Sequence, residues 1–297
     1  MIERSVAMAT PTARLGDFVE LTKPRITFMV VVTTAAGFYL GSGPSIHLLV
    51  LLSTILGTAL VAAGASCLNQ LLERDTDARM LRTRNRPLPA GRLDFSHALG
   101  FGLALSLLGT IVLYVAANAL TAALGAVTLA LYVLVYTPLK RVTSLCTIVG
   151  AVPGALPPVM GWTAARGALS AEAWILFAVL FFWQMPHFLA IAQAYREDYR
   201  RGGQPMLPVI DEGGSSTARQ VVLYCLALLP VSLMPTMVGL CGPLYFWGAL
   251  VLGIGYLGFG LAGALERTDP AARRLLRYSV IYLPALLALM TVDKAGL

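Results

Sequence analysis

HLLVLLSTILGTALVAAGASCLN, residues 47–69, runs directly into QLLERDTDARMLRTRNRPLPAGR, residues 70–92. The first part is apolar and long enough to cross a bilayer core as a helix. The second gathers Glu73, Asp75, Asp77 and six arginines in a chain otherwise short of charge. If the helix continues past the apolar run, Asn69, Glu73 and Asp77 fall at i, i+4 and i+8. Each is then turned by about 40° from the one before and raised by about 6 Å, so one helical face carries an amide and two carboxylates. Such an oxygen array, with arginines behind it, suits a hard divalent cation such as Mg²⁺ that is itself holding phosphate. Asp75 points off that face. The spacing fits a solvated, charge-balanced loop equally well.

Outward from this stretch, composition sets the class. The chain has 297 residues, 57% hydrophobic and only 12% charged, with a mean hydropathy of +0.74. That is too apolar for a water-soluble globule and reads as an all-α polytopic protein embedded in the lipid bilayer. Nine spans are expected, near residues 26–42, 47–69, 96–115, 117–136, 144–163, 170–192, 219–239, 243–264 and 275–292, within a single membrane domain over 1–297. The segment IVGAVPGALPPVMGW, rich in proline and glycine, is not expected to be a regular helix throughout.

The net charge of +7 does not indicate nucleic acid. The basic residues sit in short connections, and all but Arg166 and Lys294 fall on one side of the nine spans. The positive-inside rule puts that side, with the N-terminus, in the cytoplasm and the C-terminus outside. Residues 1–24 include Glu3, Asp17 and Glu20 and lack an apolar core with a cleavage site. Neither a secretory leader nor a mitochondrial presequence is expected, which leaves a bacterial cell (inner) membrane. Cys67, Cys146, Cys225 and Cys241 show no metal-like spacing and read as small packing residues.

Three further stretches carry polar chemistry. In WQMPHFLAIAQAYREDYRRGGQPMLP, residues 183–208, Pro186 is expected to kink a span in its interior beside Trp183, Gln184 and His187, and Gly202 and Gly203 close the helix after Glu197, Asp198, Tyr199, Arg200 and Arg201. His187 alone reads as a satisfied core residue or as a site residue. Asp198 could face Asp77 across a shared mouth and hold a second metal ion. In YTPLKRVTSLC, residues 136–146, Lys140 and Arg141 serve as topology charges or, with Tyr136, cover a diphosphate. In LTKPRIT, residues 21–27, Lys23 and Arg25 are topology charges by default, with contact to an anionic substrate as the alternative.

Taken together, LTKPRI, the N-x-x-x-E-x-x-x-D stretch leading into M-x-R-T-x-x-R-P-L, YTPLKR, GALPPVMGW and WQMPHF followed by EDYRRGGQPMLP resemble the protohaem IX farnesyltransferases (haem O synthases), a branch of the UbiA-type intramembrane prenyltransferases. The resemblance covers about residues 20 to 210; the last three spans match only in being hydrophobic. It implies nine helices bundled around a central cavity under a cytoplasmic cap, with Mg²⁺ as cofactor. It also implies transfer of farnesyl from farnesyl diphosphate to a vinyl group of haem b. Asn69, Glu73, Asp77 and Asp198 would then be the metal-holding catalytic residues. Arg82, Arg86, Lys140, Arg141 and Tyr136 would hold the diphosphate, and His187 and Trp183 would lie near the porphyrin. Haem A synthase would be the enzyme downstream. Relatives in the wider superfamily carry an aspartate where this chain has Ala194, so the second metal site would be completed by Glu197 or Tyr195.

Two other functions stay open on the sequence. A quinone precursor or another aromatic could be the acceptor on the same fold. A transporter for an anionic metabolite would instead place charge deep in the spans and on both faces; here the far side is nearly bare.

Overall fold

The computed structural model describes residues 14–295. Residues 1–13, where Glu3, Arg4 and most of the segment read for a leader fall, lie outside the described residues. Among the described residues, nine helical segments are long and apolar enough to cross a membrane. They are α2 (Pro24–Gly41), α3 (Leu48–Asp77), α4 (Phe95–Ala116), α5 (Ala119–Ala130) with the turns after it to Leu139, α7 (Cys146–Ala155) joined to α8 (Pro157–Arg166), α9 (Ala171–Ala194), α12 (Ser215–Met237), α13 (Pro243–Glu266) and α14 (Asp269–Val292). Each overlaps an expected span, with ends shifted by up to eight residues. The chain is an all-α integral membrane protein.

The outer faces are apolar because lipid replaces water there. Leu107, Tyr114, Trp247, Val251 and Leu265 are all exposed on them. Between helices, small residues permit close approach. A Cβ on Gly37 would strike the carbonyl of Pro158, and one on Gly161 would strike that of Thr34, which is why α2 and α8 pack so tightly. The α7–α8 segment breaks at Leu156, because Pro157 and Pro158 lack the N–H groups needed to continue the ladder. By contrast α9 runs unbroken through Pro186.

Two departures from regular helix bear on the site. α3 does not stop with its apolar run: its thirty residues, about 45 Å at 1.5 Å each, carry it on to Asp77. After α5, residues Leu131–Tyr136 form a π-helical segment that leads into α6 (Thr137–Leu139). The charge-rich end of the bundle is covered by α1 (Leu15–Leu21), the 78–94 connection, α10 (Arg196–Arg201) and α11 (Leu207–Ile210). Arg92 ties this cover together through ion pairs of 2.8 Å to both Asp17 and Glu20.

At the opposite end the last helix returns to the first spanning one. Lys294 Nζ donates to the carbonyls of Tyr39 (2.7 Å) and Ser42 (2.6 Å), satisfying acceptors at the C-terminus of α2. An isolated bridge pairs Lys294 with Cys241, and Asp293 Oδ2 accepts from Tyr245 N at 2.7 Å.

Candidate active site

The continuation of α3 places Asn69, Glu73 and Asp77 on one inward face, where they are 0%, 4% and 2% exposed. Asp75, one step off that face, pairs with Arg74 in solvent. Buried carboxylates require partners, and each of these three side chains has a cation from a different segment. Lys23 Nζ donates to Asn69 Oδ1 at 2.9 Å. Lys140 Nζ lies 2.9 Å from Glu73 Oε1. Arg86 Nη1 donates to Asp77 Oδ2 at 2.7 Å.

Local chemistry delivers each cation. Lys23 is the N-cap of α2, held left-handed at φ 48° before Pro24, a conformation that costs a non-glycine residue about 1–2 kcal/mol. It turns the ammonium inward, while Arg25 two residues on is exposed. Burial, reinforced by Arg86 and Lys140 and opposed by Glu73 and Asp77, pulls the Lys23 ammonium down to about 7. For Lys140, desolvation also disfavours the charge, but Glu73 and the tyrosines around it win and hold it well above the usual lysine value. Tyr136 lies with its ring 4.7 Å from Lys140 Nζ. Only glycine at position 150 leaves room for that ring, since a Cβ there would overlap it.

The 78–94 connection is fixed by Thr83 Oγ1, which donates to the Asp77 carbonyl at 3.0 Å, and by Asp198 Oδ1, which accepts from Leu81 N at 2.9 Å. Arg82 stacks over the rings of Tyr195 (4.6 Å) and Tyr199 (5.5 Å) and donates to the Tyr199 hydroxyl at 3.4 Å.

The structure thus brings Asn69, Glu73, Asp77, Arg86, Lys140 and Tyr136 into one cluster. Arg82 and Asp198 stand at its edge, joining the connection to α10. Arg141 is not drawn in: it donates to the carbonyl of Leu72 on the exposed side of α3. Glu197 is exposed and paired with Arg200, and Ala194 contributes no polar group. Among the described residues, no three His, Cys, Asp or Glu side chains are grouped to hold a metal ion by themselves. The donor set is instead an amide with two carboxylates. Glu73 Oε1 fits it as a spare ligand atom, being buried at ion-pair distance from Lys140 without hydrogen-bond alignment to any partner among the described residues. These are the hard oxygen donors a small divalent cation takes.

His187 and Trp183 lie deeper, on α9, against the last helix. His187 Nδ1 is 2.7 Å from Ser279 Oγ and Trp183 Nε1 donates to the Ser279 carbonyl at 2.9 Å. The two rings are stacked with centroids 5.0 Å apart. Tyr256 fixes the Trp183 carbonyl at 3.0 Å.

Three participants escaped sequence reasoning in whole or in part: Lys23, Thr137, whose Oγ1 accepts from Asn69 Nδ2 at 3.0 Å, and Ser279. A lysine directly before an N1 proline is the one signal that could have singled out Lys23. Ser279 sits in an apolar run and gives none, while Thr137 stands inside the YTPLKR stretch with nothing to single it out beside Tyr136, Lys140 and Arg141.

Fold and site together define a helical membrane protein with a buried cluster of an amide, two carboxylates and three basic side chains at one end of the bundle. A model of the UbiA prenyltransferase family matches residues 30–282, so the correspondence runs past residue 210 and into the last span. The chain belongs to the UbiA prenyltransferase family. It is 51% identical over 292 residues to the protoheme IX farnesyltransferase of Solibacter usitatus (strain Ellin6076), covering 95% of this chain and 100% of that protein. It is 44% identical to the protein of the same name from Koribacter versatilis (strain Ellin345), covering 94% of each. Among solved structures, a digeranylgeranylglyceryl phosphate synthase shares the fold with a TM-score of 0.79 at 16% identity, over 94% of this chain and 98% of that one. A UbiA homolog from Archaeoglobus fulgidus bound to DMAPP and Mg²⁺ has a TM-score of 0.67 at 16% identity, over 93% and 99%.

Proposed function

We propose that the chain transfers the farnesyl group of farnesyl diphosphate to a vinyl group of haem b, giving haem O. The observation that carries this reading is the cluster at the end of α3, where an amide and two carboxylates meet Lys23, Lys140 and Arg86. The haem acceptor is supported by relatives that bear the name protoheme IX farnesyltransferase along nearly their whole length.

The diphosphate binds at the charge-rich end, which the positive-inside asymmetry assigns to the cytoplasm, in a bacterial inner membrane. Lys140, Arg86 and Lys23 turn from protein oxygens to phosphate oxygens, with Arg82 closing from the Tyr195–Tyr199 side and Tyr136 lining the floor. Arg141 acts on the backbone of α3 instead. Asn69, Glu73 and Asp77 would hold Mg²⁺, with Asp198 reaching in from α10. When bound, Mg²⁺ supplies the positive charge that stabilises the departing diphosphate. The farnesyl C1–O bond breaks without a protein nucleophile, since the allylic cation is delocalised. Apolar helix walls keep water from capturing it early. The vinyl group of haem b attacks, and water then adds at the other vinyl carbon and loses a proton, leaving a hydroxyethylfarnesyl group. His187 is fixed through Nδ1 by Ser279, which leaves Nε2 for the porphyrin iron, and Trp183 stacks alongside. The product suits a haem A synthase downstream.

The test is mass analysis of the porphyrin formed when purified protein is given haem b, farnesyl diphosphate and Mg²⁺. A mass gain of one farnesyl group plus one hydroxyl group supports the reading. Unchanged haem b, with prenylation of an aromatic quinone precursor supplied in parallel, would move the protein to a different acceptor.

A further inference from the structure

An asparagine can present either end of its amide to a cation, and only the oxygen end can ligate. In this site the choice is made by a run of hydrogen bonds that starts in the π-helical segment. Thr137 Oγ1 donates to the carbonyl of Tyr132 at 2.8 Å. A hydroxyl has one proton, so with that proton committed the oxygen offers only lone pairs. Asn69 Nδ2 fills one of them at 3.0 Å. Asn69 Oδ1 must then face the other way, and there Lys23 Nζ donates to it at 2.9 Å. Both neighbours of Asn69 therefore demand the same orientation.

The π segment makes this possible. In an α-helix a threonine hydroxyl finds the carbonyl three or four residues back. Here the wider turn carries the backbone N–H of Thr137 to Tyr132, five residues back, and the hydroxyl follows it to the same acceptor. The same turn sets Tyr136 and Lys140 on the cluster. Thr137 is 3% exposed, so bulk solvent does not reach this exchange of protons.

We propose that Thr137 is a positioning residue that locks the Asn69 amide with its oxygen toward the cation, the π-helical Tyr132 carbonyl fixing the hydroxyl that does so. This rests on the reading of Asn69 as a cation ligand given under Proposed function. With Lys23 turned to phosphate and the Thr137 hydroxyl gone, no neighbouring side chain holds the amide, its NH₂ can swing toward the cation, and the site loses a donor for part of the time.

The experiment is a titration of purified full-length protein with Mn²⁺ in the presence of inorganic diphosphate, followed by electron paramagnetic resonance, beside the Mg²⁺ dependence of farnesyl transfer. Loss of an outer-shell partner weakens metal binding by about 10- to 100-fold. Thr137→Val, close in shape but without the hydroxyl, is expected to weaken Mn²⁺ binding by about tenfold or more and raise the Mg²⁺ needed for half-maximal rate. The rate at saturating Mg²⁺ should stay near that of the original protein. Thr137→Ser, which keeps the hydroxyl, is expected to restore both. In an Asn69→Asp background either oxygen can face the cation, so adding Thr137→Val should cost little more. Wild-type Mn²⁺ affinity in Thr137→Val, or the same loss in the Asp background, would overturn the inference while leaving the cation site standing. Failure of the unmodified protein to bind Mn²⁺ with diphosphate would overturn the cation reading itself, and the inference with it.

Discussion

Lys140 Nζ stands 2.9 Å from Glu73 Oε1 with both side chains largely withdrawn from solvent, at 14% and 5% exposure. Removing one member of such a pair strands the other. Lys140→Met is therefore expected to destabilise the protein by roughly 3–5 kcal/mol, and Glu73→Gln with Lys140→Met by much less. Thermal unfolding in detergent measures this. Mg²⁺ should recover part of the loss in Lys140→Met alone, because the stranded carboxylate is then a ligand without a competitor.

Asp77 carries the outermost charge of the α3 face and is paired with Arg86. Asp77→Ala is expected to leave a well-expressed protein whose conversion of haem b to haem O falls by about 10²-fold or more, the scale on which lost charge stabilisation is felt. Near-normal turnover would remove Asp77 from the cation site.

Asp198 has a visible structural duty, accepting from Leu81 N, beside its proposed part in the metal site. The two separate by substitution. Asp198→Ala should loosen the 78–94 connection, seen as faster amide exchange there. Asp198→Asn retains an acceptor and should keep the connection ordered, yet lower Mg²⁺ affinity. Unchanged Mg²⁺ affinity in Asp198→Asn would confine Asp198 to the backbone role.

His187 is held on one nitrogen by Ser279. His187→Gln is expected to abolish the change in the Soret band on haem binding and weaken haem affinity. If both are unchanged, the axial contact is wrong and Trp183 alone would face the porphyrin.

Much of this was legible in the chain. The spans follow from runs of apolar residues whose length the bilayer dictates, and the i, i+4, i+8 placing of Asn69, Glu73 and Asp77 already put them on one face. What periodicity could not supply is the far end of each contact. Lys23 and Thr137 meet Asn69 from 46 and 68 residues away, and nothing in LYVLVY marks it as π-helical rather than α-helical. Arg141 shows the opposite limit. It is adjacent to Lys140 in sequence, but successive residues on a tight turn point apart, and it serves the outside of α3.

The Lys294 contact with the carbonyls of Tyr39 and Ser42 has a mechanical meaning for a protein that must admit a flat, rigid macrocycle. The first and last spanning helices are fastened to each other at the end remote from the charged cluster. Any parting of α2 from α14 wide enough for such an acceptor must pivot about that fastening, with the greatest travel at the opposite end, beside Lys23 and the buried carboxylates of α3.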